Sequence, residues 1–166
     1  MATTFKPSYG TNTAITITLT SLANSTSLSL GYRQSAAVDN STNLFGDVHI
    51  YGHAQSNAAP TANNTYTIFL YWSNDGGTTY TNGASGSDAT YTQPDSDANM
   101  VARVDSVLTA VNQAFNFPGI SFCRAAGLLF LPQKWGIIFK NGSGQALDGT
   151  AGHHVFSYQG VNLQGV

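Results

Sequence analysis

The segment Thr65-Tyr66-Thr67-Ile68-Phe69-Leu70-Tyr71-Trp72 constrains the fold more than any other stretch of this chain. Strand side chains alternate, so Tyr66, Ile68, Leu70 and Trp72 share one face, while Phe69 and Tyr71 make the other face apolar too. Such a strand is central and covered on both sides. Before it, Gln55 to Asn64 holds Pro60 among Asn, Ala and Thr and reads as a loop. After it, Ser73-Asn74-Asp75-Gly76-Gly77-Thr78-Thr79-Tyr80 supplies Asp-Gly and Gly-Gly, whose positive φ suits a tight hairpin turn.

Weaker patterns of the same period surround this strand. Ala14 to Thr20 sets Ile15, Ile17 and Leu19 against Thr16, Thr18 and Thr20 and predicts a half-buried strand. Leu28 to Tyr32 alternates likewise, as does Leu44 to Tyr51, where Val48 and Ile50 oppose Asp47 and His49. Thr81 to Asn99 is rich in Gly, Ser, Asp and Asn with Tyr91 as its large anchor, so it reads as a long surface loop or a ragged edge strand. In Met100 to Phe117 a helical stripe (Val101, Val104, Leu108, Val111, Phe115) competes with a strand face (Met100, Ala102, Val104, Ser106, Leu108), and the valines favour strand for the first half. Ile120 to Phe122, Leu128 to Leu131, Trp135 to Lys140 and His154 to Val161 complete about eight strands. The expectation is an all-β fold, an antiparallel β-sandwich of jelly-roll type.

Composition agrees. The chain has no Glu, and Thr, Ser, Asn and Gln supply 57 of its 166 residues, so the strong helix formers of an exposed helix are nearly missing. Six Lys and Arg against eight Asp, a net charge of -2, exclude the basic stripe that nucleic acid or an anionic membrane requires. No apolar run approaches the ~18 residues of a membrane span, and Met1 to Gly10 lacks a signal-peptide core, which predicts a protein made and used without export. Cys123 has no partner for an intrachain disulfide, in keeping with a reducing compartment. The length fits one domain, 14–166, preceded by an extended N-terminal arm, 1–13, outside the sandwich. Within that arm Phe5, Lys6 and Tyr9 are the candidate interface residues, with Phe5 and Tyr9 as anchors for pockets on a neighbour.

The search for chemistry predicts no catalytic residue, no cofactor and no metal. His49 and His53 have the spacing of zinc ligands on a helix, but in a strand they stand about 13 Å apart, and His153 and His154 alternate to opposite faces. Asp95, Asp97 and Asn99 imitate the start of a calcium loop, yet Met100 and Ser106 occupy the positions that need Gly and Glu. Asp39, Asp75 and Asp148 fit turns better than general acid or base work. Cys123 has only Arg124 beside it and reads as a small core residue in a strand; Gly142-Ser143-Gly144 reads as a turn. Trp72, Tyr71, Tyr80 and Tyr91 form either a stacking platform for sugar or, the favoured reading, part of the core.

A set of segments taken in order carries a resemblance: Arg33, Ala37-Val38-Asp39-Asn40-Ser41-Thr42-Asn43-Leu44, Ala59-Pro60-Thr61, the turn Ser73 to Tyr80, Leu131-Pro132-Gln133-Lys134-Trp135-Gly136-Ile137, and Asn141-Gly142-Ser143-Gly144-Gln145-Ala146-Leu147. Across about residues 28–160 the chain resembles small virion structural proteins of tailed bacteriophages, of the kind that decorate or cement the capsid. The resemblance implies a non-enzymatic protein made in the bacterial host cytoplasm and located in the virion. Its partner would be the major capsid protein, and it would act as a homo-oligomer, a trimer suiting a three-fold lattice position. Low charge and small side chains suit many copies on a repeating lattice. The rival reading is a carbohydrate-binding head-fibre or tail-fibre domain that recognises host surface glycan. Excess chelator is expected to leave the thermal transition and partner binding unchanged; unfolding or release by chelator alone would reverse the expectation of no metal.

Overall fold

The computed structural model describes residues 4–165, so Met1, Ala2 and Thr3 of the expected arm lie outside the described residues. Ten strands form two antiparallel sheets. The four-stranded sheet has the order β1 (Phe5–Ala14), β10 (Val155–Gly165), β4 (Asp47–Ala54), β8 (Phe115–Ser121). The six-stranded sheet runs β6 (Ala89–Thr90), β2 (Tyr32–Gln34), β9 (Lys134–Gly142), β5 (Thr65–Ser73), β7 (Arg103–Val107), with β3 (Val38–Asp39) also on β9. Apart from the two-residue β3 and β6, eight strands remain, and they alternate between the sheets along the chain except that β5 and β7 are successive in the six-stranded sheet. One sheet takes the first, last, third and sixth of them; the other takes the second, seventh, fourth and fifth. This is the double Greek key of a jelly roll.

The central strand of the sequence is the central strand of the fold. β5 lies between β9 and β7, with Tyr66, Ile68, Leu70 and Trp72 in the main core and Phe69 and Tyr71 in a second cluster on the outer face. That outer cluster, with Tyr32, Tyr91 and Ile138, is roofed by the excursion between β5 and β7, which contains the edge strand β6. The turn after β5 does not join a hairpin, because β5 pairs with β9 and β7. Asp75 organises it by accepting bonds from Ser73 Oγ (2.6 Å), Thr78 N (3.0 Å) and Thr79 N (2.9 Å), which hold its carboxyl well below the usual carboxylate range.

Several segments depart from the sequence expectation. Ile15 to Thr20 keeps its alternation, with Ile15 and Leu19 buried, but joins no ladder. Ile15 N donates to Phe156 O in one sheet, and Thr16 O accepts from Ala36 N beside the other, so the segment crosses between the layers. Leu28 and Leu30 are exposed in a loop, and the strand begins only at Tyr32. Leu128 to Leu131 is a loop, and Phe122–Ala126 is a short helix, α1, capped by Ser121 at its start and by Gly127 at a φ of +68° at its end.

The expected arm is also corrected. Phe5–Ala14 is an edge strand of the sandwich, paired with β10 from Phe5↔Gly165 to Ala14↔Ser157 with a bulge between Tyr9 and Asn12. Main-chain bonds hold it while its side chains stay mostly exposed, which is why no hydrophobic alternation marks it.

Trp135 is fully buried, with Phe122 and Tyr158 packed edge-on at ring-centre distances of 5.2 and 5.1 Å. Trp135→Ala is therefore expected to cost about 3–5 kcal/mol in denaturant unfolding, with Trp135→Phe costing less; a loss below about 1 kcal/mol would remove Trp135 from the core.

Candidate functional site

The groups most capable of chemistry are committed to structure. Asp47 opens β4 and accepts hydrogen bonds from Ser121 Oγ (2.6 Å) and Cys123 N (2.9 Å), tying the start of α1 to the four-stranded sheet. Cys123 lies in α1, not in a strand, and is buried; burial and the neighbouring Asp47 carboxylate push its thiol up to about 12. It is a neutral thiol at physiological pH and a poor nucleophile.

The histidines are dispersed. His49 is exposed on β4, and His53 approaches Gly152 O at 3.4 Å. His153 Nδ1 stands 3.1 Å from Asp148 Oδ1. His154 is buried, its Nε2 donating to Asp148 O (2.8 Å) while Nδ1 accepts from Gln55 N (3.4 Å). Those two bonds require the neutral ring, and burial lowers the imidazole's affinity for a proton below its ordinary value. Among the described residues no group of three or more His, Cys, Asp or Glu side chains is placed to hold a metal.

The Asp-rich loop is stitched internally. Asp97 binds Lys140 Nζ and accepts from Tyr32 Oη at 2.8 Å, and Asp95 accepts from the Asn99 amide. The aromatic group near it is core: Tyr71, Trp72 and Tyr91 are buried, and Tyr80 lies half-buried edge-on to Tyr71.

What remains exposed is the outer face of the four-stranded sheet. β4 starts opposite Val161, so Phe5 to Ser8 and Asn162 to Gly165 pair only with each other and form a two-stranded ribbon beyond the body of the sheet. The register puts Phe5, Pro7 and Tyr9 on the same face as Val161 and Leu163. Phe5, Tyr9 and Leu163 are 66%, 58% and 73% exposed, far beyond what a surface strand needs. Leu129 and Phe130, 90% and 76% exposed, share a recess with Gly46, Asp47, Val161 and Leu163. Beside this apolar end, His49, Ser121 and Arg124 line a second open recess.

The structure therefore places the three sequence-predicted interface residues, Phe5, Lys6 and Tyr9, together on β1, all exposed, with Phe5 and Tyr9 on the apolar face. It adds Leu129, Phe130 and Leu163, which the sequence reading missed. For Leu129 and Phe130 the signal was a four-residue apolar run closed by the breakers Gly127 and Pro132 at both ends. The free edge of β1 is blunted. Val161 O bonds Gly46 on the β4 side and Phe156 O bonds Ile15 on the other, so alternation turns the main-chain groups of Phe5, Pro7 and Tyr9 outward, where Pro7 has no N–H to give.

Comparison with protein-family models, with curated proteins and with solved structures returns no match to this chain. No helix among the described residues is long and apolar enough to cross a membrane.

The neutral ring of His154 has a measurable consequence. Below the ordinary histidine pKa of about 6.5 the unfolded chain binds a proton at this site more readily than the folded chain does, so stability falls as pH falls. Urea midpoints should decline between about pH 7.5 and 5, and His154→Gln should flatten that decline; equal slopes for the two proteins would remove His154 as its source.

Proposed function

We propose that this chain is a non-enzymatic structural protein of a bacteriophage virion that binds the outside of the capsid through the outer face of its four-stranded sheet, each copy bridging neighbouring coat subunits. The observation that carries this reading is the apolar surface of Phe5, Tyr9, Leu163, Leu129 and Phe130 on a sheet face that nothing among the described residues covers. A face of that character marks a protein contact. The ordered motif resemblance supplies the kind of partner. The jelly roll is compatible with it and proves nothing alone, because the fold hosts many functions.

A glycan-binding fibre domain is the second reading, favoured by the exposure of Phe5 and Tyr9 on one face. Sugar sites are concave and ringed by convergent polar groups. Here the aromatics lie on a projecting ribbon beside Pro7 and Leu163, which supports the protein contact instead.

The test is co-sedimentation with expanded capsids of the same phage, alongside a glycan array. The intact chain should pellet with capsids. Deletion of residues 2–8 removes the β1 half of the ribbon and leaves the β4–β10 ladder whole, so it should change the thermal transition little while weakening capsid binding about tenfold or more. Array binding without capsid binding would decide for the fibre domain.

A further inference from the structure

We infer that the outer face of the four-stranded sheet, with its ribbon, receives a carboxylate-bearing protein surface and does not pair with a second copy of this chain. The inference rests on the attachment role proposed above, and the acidic surface it names is that of the coat subunits.

The observation is the allocation of charge. Of six Lys and Arg in the chain, four are ion-paired: Arg33 to Asp88 at 2.7 Å, Arg103 to Asp105 at 3.0 Å, Lys134 to Asp39 at 2.9 Å, and Lys140 to Asp97. All four lie on β2, β7 and β9 of the six-stranded sheet. The remaining two, Lys6 on β1 and Arg124 on α1, make no ion pair among the described residues, and both belong to the four-stranded side. The one carboxylate in the described strands of that sheet is Asp47, and Ser121 Oγ and Cys123 N occupy it. The face thus offers apolar anchors and, at its margin, the unpaired Arg124 beside the imidazole of His49, while Lys6, opposite Gln164 in the register, projects from the reverse side of the ribbon; among the described residues of these strands no carboxylate is free.

That set is not self-complementary. A two-fold pair brings the same patch against itself, so Arg124 would meet strands whose described residues hold no free carboxylate to pair with it, at a cost that opposes association. Two cations are also too few for the phosphate contacts of nucleic-acid binding. A surface that presents Asp or Glu around apolar pockets satisfies both features: the apolar residues supply affinity, and the marginal cations steer the approach and fix its orientation.

Capsid binding measured at about 50 and 200 mM salt with four proteins tests this. The intact chain should bind less tightly at the higher salt as the marginal charges are screened. Lys6→Gln combined with Arg124→Gln should bind about tenfold more weakly at low salt and lose most of the salt dependence. Leu163→Asp should bind more weakly at both salt concentrations. Val107→Asp, an exposed position on β7 of the other sheet, should match the intact chain. The substituted side chains are exposed, and unchanged thermal transitions will confirm that each variant folds. An intact chain that binds while the Lys6/Arg124 and Leu163 variants bind equally well overturns the inference and leaves the attachment role standing. Self-association in analytical ultracentrifugation that Leu163→Asp abolishes assigns the face to a second copy and also overturns it. An intact chain that binds no capsid at either salt removes the attachment role, and the inference with it.

Discussion

The antiparallel ladder between β5 and β9, paired without interruption from Thr65↔Gly142 to Ser73↔Lys134, is the interaction on which the other elements depend. Both strands are buried on both faces. Tyr66, Ile68, Leu70 and Trp72 meet Trp135, Ile137 and Phe139 toward the four-stranded sheet, while Phe69, Tyr71 and Ile138 face outward beneath the covering excursion. A slip of one residue would turn one of those sets through the sheet, so the register is fixed by burial on two sides at once. Gly136 secures it locally: a Cβ there would come within 2.4 Å of the Tyr71 ring. The same ring carries the hydroxyl that donates to Ser35 O, and Ser35 Oγ accepts from Ile137 N, so the ladder also positions the chain leaving β2.

The parts of the fold legible in the sequence are those where local pattern and burial coincide. β5 declares itself because each of its faces is apolar, and β7 because Met100, Ala102, Val104, Ser106 and Leu108 are the less exposed of its alternating residues. Ile15 to Thr20 shows where pattern runs out. Its alternation reports which side chains face the core, and that requirement is the same for a ladder strand and for a segment crossing between layers. β1 shows the reverse case, a strand defined by main-chain pairing to a partner some 150 residues away in sequence, which no local pattern encodes. The candidate site divides along the same line. Phe5, Lys6 and Tyr9 are legible as apolar and basic residues outside any core pattern, whereas Leu129 and Phe130 are hidden in a run that reads as core until Gly127 and Pro132 are given their weight.

The two sheets treat their outer faces differently. The six-stranded sheet is roofed by residues between β5 and β7, with Tyr91 inserted among Tyr32, Phe69 and Tyr71, and its cations are matched by aspartates from neighbouring strands and loops. Among the described residues the four-stranded sheet has no such roof. Its histidines, tyrosine and apolar ribbon look outward, and its one aspartate serves the junction with α1. The described residues therefore seal one layer and leave the other open.

The pairing of β1 with β10 also sets a schedule for the ribosome. A nascent chain can pair β5 with β7 once β7 has emerged, but β2 reaches that pair only through β9, and the four-stranded sheet lacks its second strand until β10 follows. Until β10 has emerged, Phe5 to Ala14 lacks its ladder partner. Contacts so distant in sequence make folding slow and leave apolar strands exposed to chaperones and to one another meanwhile. Completion of the domain thus waits for its last strand, and the last surface to take shape is the ribbon on which attachment is proposed to depend.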